Sequence, residues 1–108
     1  MGKPWYTAFM YYVYLLRCAG GSLYAGITTD LGRRYREHRG EGGRGAKYTQ
    51  AHPPLGYAGA WSAADRAAAS RLEARLKRMD HREKEALPGR DLPGYPAVEE
   101  GALREAEA

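Results

Sequence analysis

The run Tyr11-Tyr12-Val13-Tyr14-Leu15-Leu16 is β-branched or aromatic at odd and even positions alike. That pattern predicts a strand covered on both faces rather than one with a wet side. Ala19-Gly20-Gly21-Ser22 has turn chemistry, and Leu23-Tyr24-Ala25-Gly26-Ile27 reads as a returning strand, so the pair predicts a β-hairpin. Thr28, Thr29 and Asp30 offer N-caps for a helix over about 31–39. Residues 40–45 hold four glycines and predict a loop, 46–50 a short helical or extended piece, and His52-Pro53-Pro54 its end. Leu55 to Trp61 is the expected third strand. Ser62, with Asp65 three residues on, resembles a capping box opening a long amphipathic helix through Ala69, Leu72, Leu76 and Met79. A short helix over 81–87 would end before Pro88. Three strands and two main helices predict an α+β domain over residues 11–87, while spacing leaves the strand order open. Residues 1–10 read as a lead-in, and the Pro- and Gly-punctuated segment 88–108 as a peripheral, solvated tail.

Composition agrees with a folded domain. Of 108 residues 44% are hydrophobic and 28% charged, and nine are Tyr. The lone Cys18 excludes an intramolecular disulfide, and with three scattered His it gives no zinc-site spacing. The longest apolar run, 11–16, is far short of the ~20 residues that span a bilayer, and no leader pattern opens the chain. A cytoplasmic protein with no membrane partner is the expectation. The net charge of +4 conceals an asymmetry: 15 Lys and Arg against 8 Asp and Glu in residues 1–87, and 2 against 5 in 88–108. A basic body suits a polyanion, although many basic proteins bind none.

Several polar groups stand out within this frame. A two-residue loop at Gly20-Gly21 would set Arg17 opposite Tyr24 and turn Tyr14 to the other face. A three-residue loop would set Leu16 opposite Tyr24, place both phenols on one face, and require positive φ at Gly20 or Gly21. Arg34 and His38, four apart, share a helix face, with Arg33 about 100° round. Arg can clamp phosphate oxygens and His can exchange a proton near neutral pH; equally, Arg33, Arg34, Arg36, Glu37 and Arg39 read as a solvated face. Glu73 falls at the edge of its helix's apolar stripe, half-shielded as a metal ligand would be, or simply paired with Lys77. The 40–45 loop lacks P-loop spacing and reads as flexible, beside Arg44 and Lys47. Tyr11, Tyr12 and Trp61 read as packing residues, Cys18 as inert, and His52 and His81 as surface histidines.

Taken in order, Tyr12-Val13-Tyr14, Tyr24-Ala25-Gly26, Leu31 to His38, Gly45-Ala46-Lys47-Tyr48-Thr49 and Ser70-Arg71-Leu72-Glu73 resemble the GIY-YIG nuclease domain, most closely its small stand-alone bacterial members. The resemblance covers residues 11–87. Tyr12 stands where the first motif has Gly, and Ala25 where the second has Ile, neither of which supplies a functional group.

The resemblance implies a three-stranded antiparallel sheet flanked by helices. It also implies a divalent-metal-dependent endonuclease hydrolysing phosphodiester bonds, in DNA before RNA, of the structure-specific kind that serves repair or recombination. Tyr14, Tyr24, Arg34 and His38 take the catalytic positions, and Glu73 that of the single carboxylate for one Mg²⁺ or Mn²⁺. Tyr14, Tyr24 and His38 stay equal candidates for the base. Arg33, Arg44, Lys47, Tyr48 and Lys77 would contact nucleic acid. The rival readings are a nucleic-acid-binding module without hydrolysis, and a nuclease subunit that needs a protein partner for targeting.

Overall fold

The computed structural model describes residues 10–108; the lead-in expected over 1–10 lies, but for Met10, outside them. Strands β1 (Tyr11–Cys18), β2 (Leu23–Thr28) and β3 (Pro54–Ala63) form one antiparallel sheet in the order β2-β1-β3. The central strand β1 is paired at both edges and packed against by helices on both faces, which is why its apolar residues do not alternate with polar ones. Val13 and Leu15 face helix α3 (Arg66–Arg78), packing with Trp61, Ala69, Leu72 and Leu76. Tyr14, Leu16 and Cys18 face helix α1 (Leu31–His38), packing with Leu31, Tyr35 and Tyr57. Between α1 and β3 lie a 3₁₀ turn (Glu41–Gly43) and a short helix α2 (Lys47–Ala51).

Asp30 caps α1, accepting from the Arg33 N–H at 2.9 Å, and Asp65 caps α3, accepting from Ala68 N–H at 2.8 Å. Such caps contribute about 1 kcal/mol each. Ser62, expected as the cap of α3, lies instead inside β3. Its backbone is already used, because Tyr12 pairs with it across the sheet and its N–H donates to the Pro96 carbonyl at 2.9 Å. Helix α4 (His81–Glu85) starts with a capping box between Asp80 and Glu83 and is tied to the end of β1 by a bidentate Arg17–Glu85 pair (2.7 and 3.0 Å).

Residues 88–108 are not a solvated tail. Tyr95 enters the core under α3 and donates from its hydroxyl to the Ala68 carbonyl at 2.8 Å. Ala97 bridges to Trp61 along the outer edge of β3, and the Trp61 indole N–H donates to the Arg90 carbonyl. Helix α5 (Glu100–Ala106) buries Leu103 in the second core, where Arg104 donates to the Tyr57 carbonyl and Glu107 accepts from the Tyr57 N–H. Sparse apolar residues at the right intervals outweigh the acidic composition, since Glu99, Glu100 and Glu105 all point outward. Among the described residues no helix is long and apolar enough to cross a membrane.

Candidate active site

The hairpin loop sets the face on which the tyrosines stand. Leu16 pairs with Tyr24 and Tyr14 with Gly26, leaving the three-residue loop Ala19-Gly20-Gly21. Gly20 and Gly21 have φ of 94° and 91°, open to glycine at little steric cost. Tyr14 and Tyr24 therefore share a face. The Tyr14 ring lies directly across Gly26, where a Cβ would fall inside the contact distance of the phenol oxygen and its ring carbon.

His38, at the last turn of α1, points into this face and is buried. Its Nε2 lies 2.7 Å from the Tyr14 hydroxyl and its Nδ1 2.9 Å from Thr49 Oγ1. The Tyr14 and Tyr24 rings meet the imidazole edge-on, with centroids 5.8 and 5.6 Å away. Burial, reinforced by the nearby Arg34 charge, lowers the His38 pKa to about 4, so the ring is neutral at pH 7. Burial pushes the Tyr14 phenol up to about 12, against the pull of Arg34 and with a push from the Tyr24 and Glu73 charges. Tyr57 packs edge-on against Tyr14 at 5.4 Å and donates its hydroxyl to the Leu31 carbonyl.

Arg34 is held from two sides: its Nη1 donates to Glu37 at 2.8 Å and to the Arg44 carbonyl at 3.0 Å. Glu37, pulled below the ordinary carboxylate range chiefly by that bond to Arg34, anchors the guanidinium beside Tyr14. Arg33 turns aside toward Thr29 and the outer edge of Glu37 (3.4 and 3.8 Å). Glu73 is partly shielded, its charge registers on Tyr14, and Lys77 pairs with it at 3.4 Å. Tyr48 stacks on Tyr24 at 5.4 Å and on His52 at 4.4 Å, and its hydroxyl donates to Ser22 Oγ. A cleft of about 350 Å³ runs past Ser22, Tyr24, Tyr48, Lys77, His81 and Lys84. Arg44 and Lys47 are exposed at the Gly-rich loop, and the Arg44 backbone rather than its side chain supports the site.

The fold thus gathers Tyr14, Tyr24, Arg34 and His38 around one face, within reach of the Glu73 field, and leaves Arg33 outside. Thr49, Glu37 and Tyr57 also belong to this arrangement; the sequence set Glu37 on a solvated face and Thr49 within a motif without a role, and held no sign of Tyr57. The Gly-rich run followed by a short helix was the available sign that residues 46–49 fold back onto His38. Among the described residues no three His, Cys, Asp or Glu side chains cluster as a ready-made metal cage. A single half-shielded carboxylate fits Mg²⁺ or Mn²⁺, hard ions that hold one or two carboxylates and keep several waters, and does not fit structural zinc.

A two-motif tyrosine hairpin, a helix carrying Arg and His, and a glutamate from the helix behind the sheet define a GIY-YIG domain. The GIY-YIG catalytic-domain model matches residues 10–85, and the chain belongs to the GIY-YIG family, whose members are generally endonucleases that use a divalent metal. Its relatives include small bacterial proteins. A UPF0213 protein of Xanthomonas axonopodis pv. citri is 48% identical over 77 residues, covering 71% of this chain and 68% of its own. The UPF0213 protein YhbQ of Salmonella typhimurium is 46% identical over 84 residues, covering 78% and 76%. The solution NMR structure of a UPF0213 protein from Bacillus halodurans is 40% identical, covers 72% of this chain and 81% of its own, and superposes with a TM-score of 0.46.

Proposed function

We propose that this protein is a divalent-metal-dependent endonuclease that hydrolyses phosphodiester bonds in DNA, with a preference for branched or otherwise structured substrates of the kind met in repair. The observation that carries this reading is the 2.7 Å hydrogen bond between the Tyr14 hydroxyl and a buried, neutral His38, set beside a clamped arginine. A phenol with its pKa near 12 is a poor base alone. Joined to His38 it becomes a relay: Tyr14 Oη takes a proton from the attacking water while its own proton passes to His38 Nε2. The O–H bonds of water and of Tyr14 break as a new O–H and an N–H form, and the positive charge ends on the imidazole. There the negative phosphate brought by the substrate must offset the burial and the Arg34 charge that hold His38 neutral in the free protein. Arg34, held by Glu37 and the Arg44 carbonyl, would offset the negative charge that builds on phosphate oxygens. Glu73 would hold the Mg²⁺ or Mn²⁺, whose Lewis acidity supplies further charge stabilisation when bound. Tyr24, Tyr48 and Lys77 along one cleft, with Arg33, Arg44 and Lys47 beyond it, would offer stacking and phosphate contacts to the strand on either side of the cut.

The test is cleavage of labelled single-stranded, duplex, flap and branched DNA and matched RNA in Mg²⁺ and Mn²⁺, beside Glu73→Ala. Metal-dependent cutting that disappears in the folded variant is the expected result. Binding without cutting on every substrate would overturn the reading in favour of a binding module or a subunit awaiting a protein partner.

A further inference from the structure

The imidazole of His38 has two neighbours, the Tyr14 hydroxyl and Thr49 Oγ1, and each makes its own demand on the ring protons. The buried Tyr14 hydroxyl has His38 Nε2 as the acceptor within its reach among the described residues. Thr49 Oγ1 lies 2.9 Å from the Ala46 carbonyl, which can only accept and takes the Thr49 hydroxyl proton beside the backbone N–H groups of Thr49 and Gln50. Oγ1 then has only lone pairs to offer His38 Nδ1, which must carry the N–H. Nε2 is left bare and faces the Tyr14 hydroxyl. We propose that Thr49 is a positioning residue that locks His38 in its Nδ1–H tautomer, so that Nε2 is available to take the Tyr14 proton. The inference rests on the relay proposed above and names the group that orients its base.

The backbone around Thr49 is shaped for this contact. A Cβ at Gly45 would meet the Glu37 carbonyl oxygen at 2.6 Å and His38 Cα at 3.4 Å, so the loop reaches the last turn of α1 only with glycine there. That approach carries the Ala46 carbonyl and Thr49 to the imidazole. Thr49 is as buried as His38, and buried side-chain polar atoms among the described residues all have protein partners. Valine in place of Thr49 keeps the shape but offers no acceptor. An unpaired buried N–H costs about 1–3 kcal/mol, enough to drive the ring to the opposite tautomer, in which Nε2–H donates to Tyr14 and can no longer receive.

Long-range ¹H–¹⁵N correlation spectra of the imidazoles at pH 7 read the tautomer directly, and the wild-type spectrum alone is a test. The expected result is an Nδ1–H, bare-Nε2 pattern for His38 in the wild type and in Thr49→Ser, switched to Nε2–H in Thr49→Val. Alongside it, kcat for cleavage should fall about 10²-fold in Thr49→Val with KM unchanged, and Thr49→Ser should restore it. An Nε2–H pattern in the wild type overturns the proposal, as does a switched tautomer with kcat intact. A protein that shows the lock and its switch but cuts no nucleic acid retains the positioning role of Thr49 and loses the nuclease reading instead.

Discussion

Between pH 6.5 and pH 4 the unfolded chain takes up a proton on His38 that the folded chain refuses, because burial and then the Arg34 charge lower the native pKa from the ordinary 6.5 to about 4. A native pKa below the unfolded one means the stabilisation is fully present above pH 6.5 and is lost as pH falls through the native value. Each pH unit across the gap is worth about 1.4 kcal/mol, so the full interval is worth about 3 kcal/mol and about 2 kcal/mol is already gone at pH 5. The Glu37 and Glu85 carboxylates, held low by their hydrogen bonds to Arg34 and Arg17, lose their contributions in the same direction but only below their ordinary 4.5. The range from pH 7 to pH 5 therefore isolates the imidazole from these two pairs. Urea unfolding at constant ionic strength, followed by circular dichroism at pH 7, 6 and 5, measures the effect for the wild type, His38→Gln and Tyr14→Phe. The wild type should lose about 2 kcal/mol, and His38→Gln should lose that slope. Tyr14→Phe should keep most of it, since desolvation rather than the hydroxyl is the leading cause. A flat wild-type profile, or an undiminished slope in His38→Gln, would refute the assignment.

Three further outcomes follow from the geometry. Arg34→Ala should reduce kcat by about 10²–10³-fold and Arg33→Ala by less than about tenfold, because only Arg34 is clamped beside Tyr14; equal losses in a steady-state cleavage assay would contradict this. Gly26→Ala should cost about 1–3 kcal/mol in thermal unfolding and uncouple Tyr14 from His38, since the new methyl group meets the phenol. Leu103→Ala should cost about 2–5 kcal/mol in urea unfolding, whereas a peripheral segment would register within about 0.5 kcal/mol.

The elements were legible in the sequence wherever local chemistry decides them. The double-sided strand at 11–16, the hairpin glycines, Asp30 as a cap and the apolar stripe of Leu72 and Leu76 all carry their structure in a few neighbouring residues. Contacts remote in sequence left no such trace. Ser62 looks like a cap because Asp65 follows it, but pairing with Tyr12 and Pro96 keeps it in the sheet. Residues 88–108 look solvated because their charge is acidic, while their binding depends on three or four apolar side chains meeting cores formed long before them in the chain. Within the site, spacing aligned Arg34 with His38 but could not reveal Thr49, eleven residues beyond His38, or Tyr57 beneath Tyr14.

Alternation along β1 carries a hidden fragility. Val13 and Leu15 point one way and Tyr14 and Leu16 the other, and both sides are greasy enough to tolerate the exchange. Sliding the hairpin by a single residue would turn the phenol toward Leu72 and Leu76 and present valine to His38, a misfold that still hides its apolar surface. Hydrophobicity is a poor proofreader here. Discrimination falls to the three-residue loop at the hairpin tip, where Gly20 and Gly21 take positive φ, and to Gly26, which alone leaves room for the ring. Chemical competence is thus inspected at folding by residues that have no side chains of their own.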